Sequence, residues 1–234
     1  IYTLSLHDAL PIWLKPDAPV FSGAASTGSE RPSAGSWTEK SNGVYVSTLT
    51  LGSAAGQLSV MPRVNGQNAV AQPLVLNVAG DASKAEIRDM TVKVNNQLAN
   101  GQSANQITLT VVDSYGNPLQ GQNVTLTLPK GVTSKTGNTV TTNAAGKADI
   151  ELISTVAGEL EIAAAVKNSQ KTVTVKFNAD ASTGQANLQV DTAVQKVANG
   201  KDAFTLTATV EDKNGNPVPG TLVTFNLPRG VKPL

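Results

Sequence analysis

The chain has 234 residues, 40% hydrophobic and 4% aromatic, with 18 Lys and Arg against 17 Asp and Glu, one His and no Cys. The missing cysteine excludes a disulfide scaffold, a thiolate metal site and a cysteine nucleophile, and one histidine leaves little room for triad or metal chemistry. Balanced charge gives no basic footprint for nucleic acid or an anionic membrane, and the apolar runs stop far short of the ~20 residues that a membrane-spanning helix needs.

Thr, Val, Ala, Asn, Ser and Gly fill the sequence, a strand-and-turn vocabulary that predicts an all-β protein. Residues 1–12 match neither this composition nor the repeat described below. They lack the basic start and small-residue cleavage site of a signal peptide, look like a translated sequencing adapter, and are set apart with His7. Ser22 to Ser41, rich in Gly, Ser, Ala and Thr, reads as a long loop or a partly ordered remnant.

A repeat fixes the organisation. Asp81-Ala82-Ser83 recurs as Asp180-Ala181-Ser182, Ala99-Asn100-Gly101 as Ala198-Asn199-Gly200, Gly116-Asn117-Pro118 as Gly215-Asn216-Pro217, and Leu128-Pro129 as Leu227-Pro228, each 99 positions on. Between 99–132 and 198–231 about 18 of 34 positions are identical without a gap. That period suits one β-sandwich of about 100 residues rather than a solenoid turn. Gly43, Leu49, Gly56 and Leu58 align with Gly146, Leu152, Gly158 and Leu160, so residues 13–80 read as the latter part of one domain. Residues 81–179 are then a complete domain and 180–234 the first half of a third, which without its closing strands should fold poorly alone.

Strands of the complete domain follow from period-2 alternation. In chain order they centre on Met90, Val92 and Val94; on Ile107, Leu109 and Val111; on Val124, Leu126 and Leu128; and on a short piece near Val140. Three more centre on Ala148, Ile150 and Leu152; on Leu160, Ile162, Ala164 and Val166; and on Val173, Val175 and Phe177. About seven strands, each with one apolar face, imply two sheets packed face to face over an aliphatic core.

Asp113-Ser114-Tyr115-Gly116-Asn117-Pro118 and Asp212-Lys213-Asn214-Gly215-Asn216-Pro217 superficially suggest calcium loops, since Asp212, Asn214 and Asn216 alternate like EF-hand ligands. Position 12 counted from Asp212 is Val223 where a bidentate Glu is wanted, and the flanks read as strands, so a structural turn between the second and third strands is the reading. Trp37 and Tyr45 read as core, with an aromatic platform for sugar or peptide as the alternative. Asp149, Glu151, Glu159 and Glu161 occupy solvent-facing strand positions, where acidic residues favour solubility and edge protection over a catalytic pair. Asn123-Val124-Thr125 fits the glycosylation pattern, which is short and carries no weight alone. No nucleophile elbow, zinc-protease, P-loop or dinucleotide motif is present, so no catalytic, cofactor-binding or metal-ligating residue is assigned and no cofactor is expected.

The run Ala-Asn-Gly, Ile107-Thr108-Leu109-Thr110-Val111-Val112-Asp113, Gly116-Asn117-Pro118-Leu119, Gly121, Val124-Thr125-Leu126, Asn143-Ala144-Ala145-Gly146-Lys147-Ala148 and Thr155-Val156-Ala157-Gly158 resembles the bacterial Ig-like domain of the first type. Such domains build the stalks of the intimin and invasin family of inverse autotransporter adhesins. Trp37-Thr38, Gly43-Val44-Tyr45 and Thr48-Leu49-Thr50 look like a variant of the same repeat, so the resemblance covers about residues 37 to 231.

The resemblance implies tandem immunoglobulin-like β-sandwiches, the first and third truncated. It implies a non-enzymatic stalk on the outer membrane of a Gram-negative bacterium, supporting cell adhesion or biofilm formation. Membrane anchoring would come only from an N-terminal barrel, and a host or bacterial receptor would be met at a tip, both outside this chain. The partners expected within the chain are neighbouring Ig-like domains. Lack of cysteine suits such a route, because a chain threading a narrow barrel must travel extended. The alternative is a glycan- or peptidoglycan-binding module, for which the complete domain offers one loop aromatic, Tyr115.

Overall fold

The computed structural model describes residues 2–5, 16–190 and 195–231. Strands and turns make up nearly all of it; the helical elements are single 3-10 turns at Ala24–Ser26, Ala82–Lys84 and Ala181–Thr183. Two compact units divide the chain. The first holds the described residues up to Glu86 together with Val111–Gln122 and Asn143–Gly146; the second holds Ile87–Thr110, Asn123–Thr142 and the described residues from Lys147 onward.

In the first unit Gly56–Val64 is the organising strand. It pairs antiparallel with Pro16–Ser22 on one side and with Leu74–Val78 on the other, Gly56 opposite Val78 and Leu58 opposite Leu76. Leu58 is fully buried. Ser22 to Ser41 is more ordered than a loop: Ser33–Ala34 pairs with Leu49–Thr50, and Thr38–Ser41 with Val44–Ser47. Hydroxyls tighten its start, Ser26 Oγ donating to Gly23 O and Thr27 Oγ1 to Ala24 O, both at 2.7 Å. Of the segment set apart in the sequence, Tyr2–Ser5 runs antiparallel to Val44–Ser47. His7 lies outside the described residues.

The strands of the repeat fall where alternation predicts, with two short additions at Gln97–Leu98 and Val132–Ser134. They form two sheets. One is ordered Glu86–Val94, Asn105–Val112, Lys147–Ser154, Val132–Ser134; the other Gln97–Leu98, Ser169–Asn178, Gly158–Val166, Asn123–Thr127, Thr139–Thr141. In the second unit Ile107, Leu109, Ile150 and Leu152 from one sheet and Val124, Ile162, Val175 and Phe177 from the other are all buried. This core, aliphatic except for the Phe177 ring, is sequestered at about 25 cal/mol per Å² of apolar surface, which drives the two layers together.

Simple alternation breaks in two strands. Thr110 and Val112 are buried although they lie opposite in phase to Ile107 and Leu109, and the Thr110 hydroxyl is satisfied there by donating to Asp89 Oδ1 at 2.9 Å. Ile87 is the buried residue of the first strand, while Met90, Val92 and Val94 are only half-buried, so the inward phase changes within that strand.

Residues 180–231 carry one further antiparallel pair, Gln185–Val190 against Leu206–Glu211. Its Leu188, Val190 and Leu206 are exposed.

Candidate functional site

The features that recur with the repeat, and that bury polar groups, are the Asp-x-x-Gly-Asn-Pro turns. In the first unit, the chain leaves the end of Asn105–Val112 at Asp113, and a backbone bridge between Val112 and Pro118 closes the turn. Gly116 sits at φ 86°, a left-handed conformation that glycine adopts without steric cost. A second glycine, Gly146, has φ 71°, and a Cβ there would lie 2.5 Å from Val111 O, so this close backbone approach also requires glycine.

Asp113 is 1% exposed. Its Oδ1 accepts from the amides of Tyr115 and Asn117, and its Oδ2 from the Asp81 amide and Asn117 Nδ2, all at 2.8 to 2.9 Å. Asn117 also reaches out of its own turn. Its Nδ2 donates to Ser53 O and its Oδ1 accepts from the Ala55 amide, both at 2.8 Å. Tyr115 adds a longer contact, its hydroxyl donating to Glu30 Oε1 at 3.4 Å.

The second unit repeats the arrangement. Asp212, also buried, accepts from the amides of Asn214 and Asn216 through Oδ1 and from the Asp180 amide through Oδ2. Asn216 Nδ2 donates to both Asp212 oxygens and to Thr155 O at 3.0 Å, while its Oδ1 accepts from the Ala157 amide at 2.8 Å. Asn214 Nδ2 reaches Ala99 O at 2.8 Å. Asp180 and Asp81 each cap the short turn that follows, accepting from the amide and hydroxyl of Ser182 and Ser83.

Chemically these are structural turns. Of Asp212, Asn214 and Asn216, spaced like cation ligands, Asn216 donates to Asp212, Asn214 turns away to Ala99 O, and the buried carboxylates face N–H donors. Among the described residues no three His, Cys, Asp or Glu side chains converge as a metal set. Desolvation works to raise the pKa of Asp113, yet the donors of Asn117, Asp81 and Tyr115 together outweigh it and hold the carboxyl below its ordinary value. Asp212 is lowered in the same way: burial opposes, and the Asn216, Asp180 and Asn214 donors prevail.

The other candidates are dispersed. Asp149 and Glu151 stand in one sheet and Glu159 and Glu161 in the other. Asp149 accepts from Thr108 Oγ1 at 2.5 Å, and Glu151 meets Gln106 Nε2 at 3.2 Å and Lys135 Nζ at 3.7 Å. Asn123 is exposed and accepts from Thr141 Oγ1. Trp37 is half-buried, donates from Nε1 to Asp17 O at 2.9 Å, and lines an apolar cleft with Phe21, Leu49, Val60 and Leu74. Tyr45 is half-buried opposite Glu39 and does not line that cleft.

Sequence reasoning missed the acceptor turns at Ser53-Ala54-Ala55 and Thr155-Val156-Ala157. The signal was present: Gly56 and Gly158, which follow these turns, align in the repeat and adopt φ 123° and 125°.

Comparison with known proteins agrees with this architecture. The sequence model of the bacterial Ig-like domain (group 1) matches residues 87–178 and 185–233. The inverse autotransporter adhesin YeeJ of Escherichia coli K12 is 30% identical over 194 residues, 82% of this chain and 8% of YeeJ. The solved structure of the Escherichia coli adhesin FdeC is 28% identical, with a TM-score of 0.65 over 89% of this chain and 66% of that one. InvD of Yersinia pseudotuberculosis, 19% identical, shares the fold with a TM-score of 0.62 over 92% of this chain and 66% of InvD. The chain therefore spans about two thirds of those two structures and a small fraction of YeeJ. With its two-sheet β fold and these matches, the chain belongs to the bacterial Ig-like domain (group 1) family.

Proposed function

We propose that this chain is a stretch of the surface stalk of an outer-membrane adhesin of the intimin and invasin type. It is divided into residues 13–80, 81–179 and 180–234, with 1–12 foreign to the array. Its task is to space a distal tip from the cell surface, without catalysis of its own. The tip meets a host or bacterial receptor, the anchor is a barrel, and both belong to other parts of the protein.

One observation carries the reading: the same Asp–Asn turn grips a turn of the preceding repeat twice, 99 residues apart. Lys147–Ser154 runs antiparallel to Asn105–Val112 with Leu152 opposite Asn105, so the 155–157 turn begins beside the first residue of that strand. At about 3.4 Å per residue each domain contributes roughly 30 to 40 Å of reach.

Small-angle scattering on the chain tests the proposal. An elongated particle, with a maximum dimension near the sum of its domains, is the expected result; a compact one refutes the spacer. Adhesion and biofilm support are tested by deleting the repeats from the full-length adhesin while keeping anchor and tip, which should lower attachment of encapsulated cells most.

A further inference from the structure

Residues 185–231 pose a physical problem. They form a two-stranded sheet whose Leu188, Val190 and Leu206 are exposed, as are the neighbouring Phe204 and Leu222. A two-stranded sheet without a core is marginal in water. Among the described residues from 180 to 231 the buried ones are Asp180, Asp212 and Asn216, all polar and all in the turn contacts. Order in this stretch therefore has a polar source.

We propose that the Asp212–Asn216 turn is a directional docking plug whose partner is the Thr155–Ala157 turn of the preceding repeat, and that this docking orders the Gln185–Val190 and Leu206–Glu211 sheet. The plug is set before it docks, because Asp212 fixes the Asn216 carboxamide through Nδ2 and through the Asn216 amide. It reads backbone alone: the Ala157 amide, Thr155 O and, through Asn214, Ala99 O. Side chains of the acceptor turn are thereby free to differ, and they do, since Asn117 makes the same two contacts to Ser53 and Ala55. The acceptor shape is held by the left-handed glycine that follows each turn, Gly56 and Gly158. The partner is thus a second repeat of the same type, joined head to tail as in a heterologous contact. This inference stands whether or not the array serves as a spacer.

Amide hydrogen exchange on the whole chain tests it. Asn216→Ala should speed exchange of the Leu206–Glu211 strand amides ten-fold or more, with the Ile107 and Leu109 amides unchanged. Asn214→Ala, which loses only the contact to Ala99 O, should give about a three-fold rise. Thr155→Ser, which keeps the backbone partner, and Phe204→Ala, which removes an exposed ring, should give none. Unchanged exchange in both Asn variants overturns the proposal. So does an equal rise in Phe204→Ala, which would assign the order to apolar contact, or a rise spreading to Ile107 and Leu109, which would make Asn216 a residue of the central sandwich's own stability.

Discussion

Ile107, Leu109 and Val124 are fully buried, whereas Leu206, Ala208 and Val223, 99 positions on, are exposed or half-buried. Asp113 and Asp212, at the same spacing, are both buried and engage equivalent donors. The comparison separates two kinds of order. A core exists only when two sheets close over it, while a turn needs its own few residues and one neighbouring loop. The largest effects should therefore come where a closed core is opened. Phe177→Ala should cost about 3–5 kcal/mol in the urea unfolding of the central sandwich. Phe204→Ala, at a ring 49% exposed, should stay within about 0.5 kcal/mol. Equal effects would mean that the two stretches are packed alike.

Next in size are the polar contacts themselves. Asn117→Ala leaves the Ala55 amide and Ser53 O without their partner and should cost about 1–3 kcal/mol, read as faster exchange at Ala55 and a lower urea midpoint by tryptophan fluorescence. A silent substitution would reduce the turn in the first unit to a geometric accident and leave the comparison to the cores.

How far the sequence could be read follows from the same contrast. Alternation is a local signal, so strands such as Asn123–Thr127 and Lys147–Ser154, whose buried and exposed residues alternate, were fully legible. Gln97–Leu98 was not. It is two residues long and pairs parallel with Phe177 and Asn178, so it has no period to show. What secures it is the buried Asn105, which accepts from the Gln97 amide and donates to Lys176 O. Ile87 escaped because the phase shifts between it and Met90. The turns at Asp113 and Asp212 were recognised as turns, yet their docking was invisible. Asn117 reaches backbone more than sixty residues away, and a backbone amide carries no residue-type signature.

Acidification should sharpen the distinction between the two kinds of order. Asp113 and Asp212 hold pKa values below the ordinary carboxylate range in the folded chain. Their contribution to stability is thus fully present above the unfolded value of about 3.9 and is lost as pH falls through the folded value. Stability should be flat from neutral pH down to about 5 and decline below about 4. Asp113→Asn, which points an amide at the Asp81 and Asn117 donors, should be less stable than the parent at pH 7, with the gap narrowing at pH 3. The apolar core has no such dependence, so the penalty of Phe177→Ala should be the same at both values. A constant gap for Asp113→Asn would show that this carboxylate does not carry the acid response.

The smallest effect belongs to the surface pair of Lys135 and Glu151. They meet at 3.7 Å with both side chains more than two fifths exposed, and water and salt screen the attraction. Glu151 is held in addition by Gln106 Nε2 at 3.2 Å, a neutral donor that would bind a glutamine carbonyl as readily as a carboxylate. Glu151→Gln should therefore change unfolding by less than about 1 kcal/mol, and the change should vanish at high salt. A penalty comparable to that of Asn117→Ala would place part of the sandwich's polar stability on its outer face, and the turns would lose their standing as the sites where hydrogen bonding matters most.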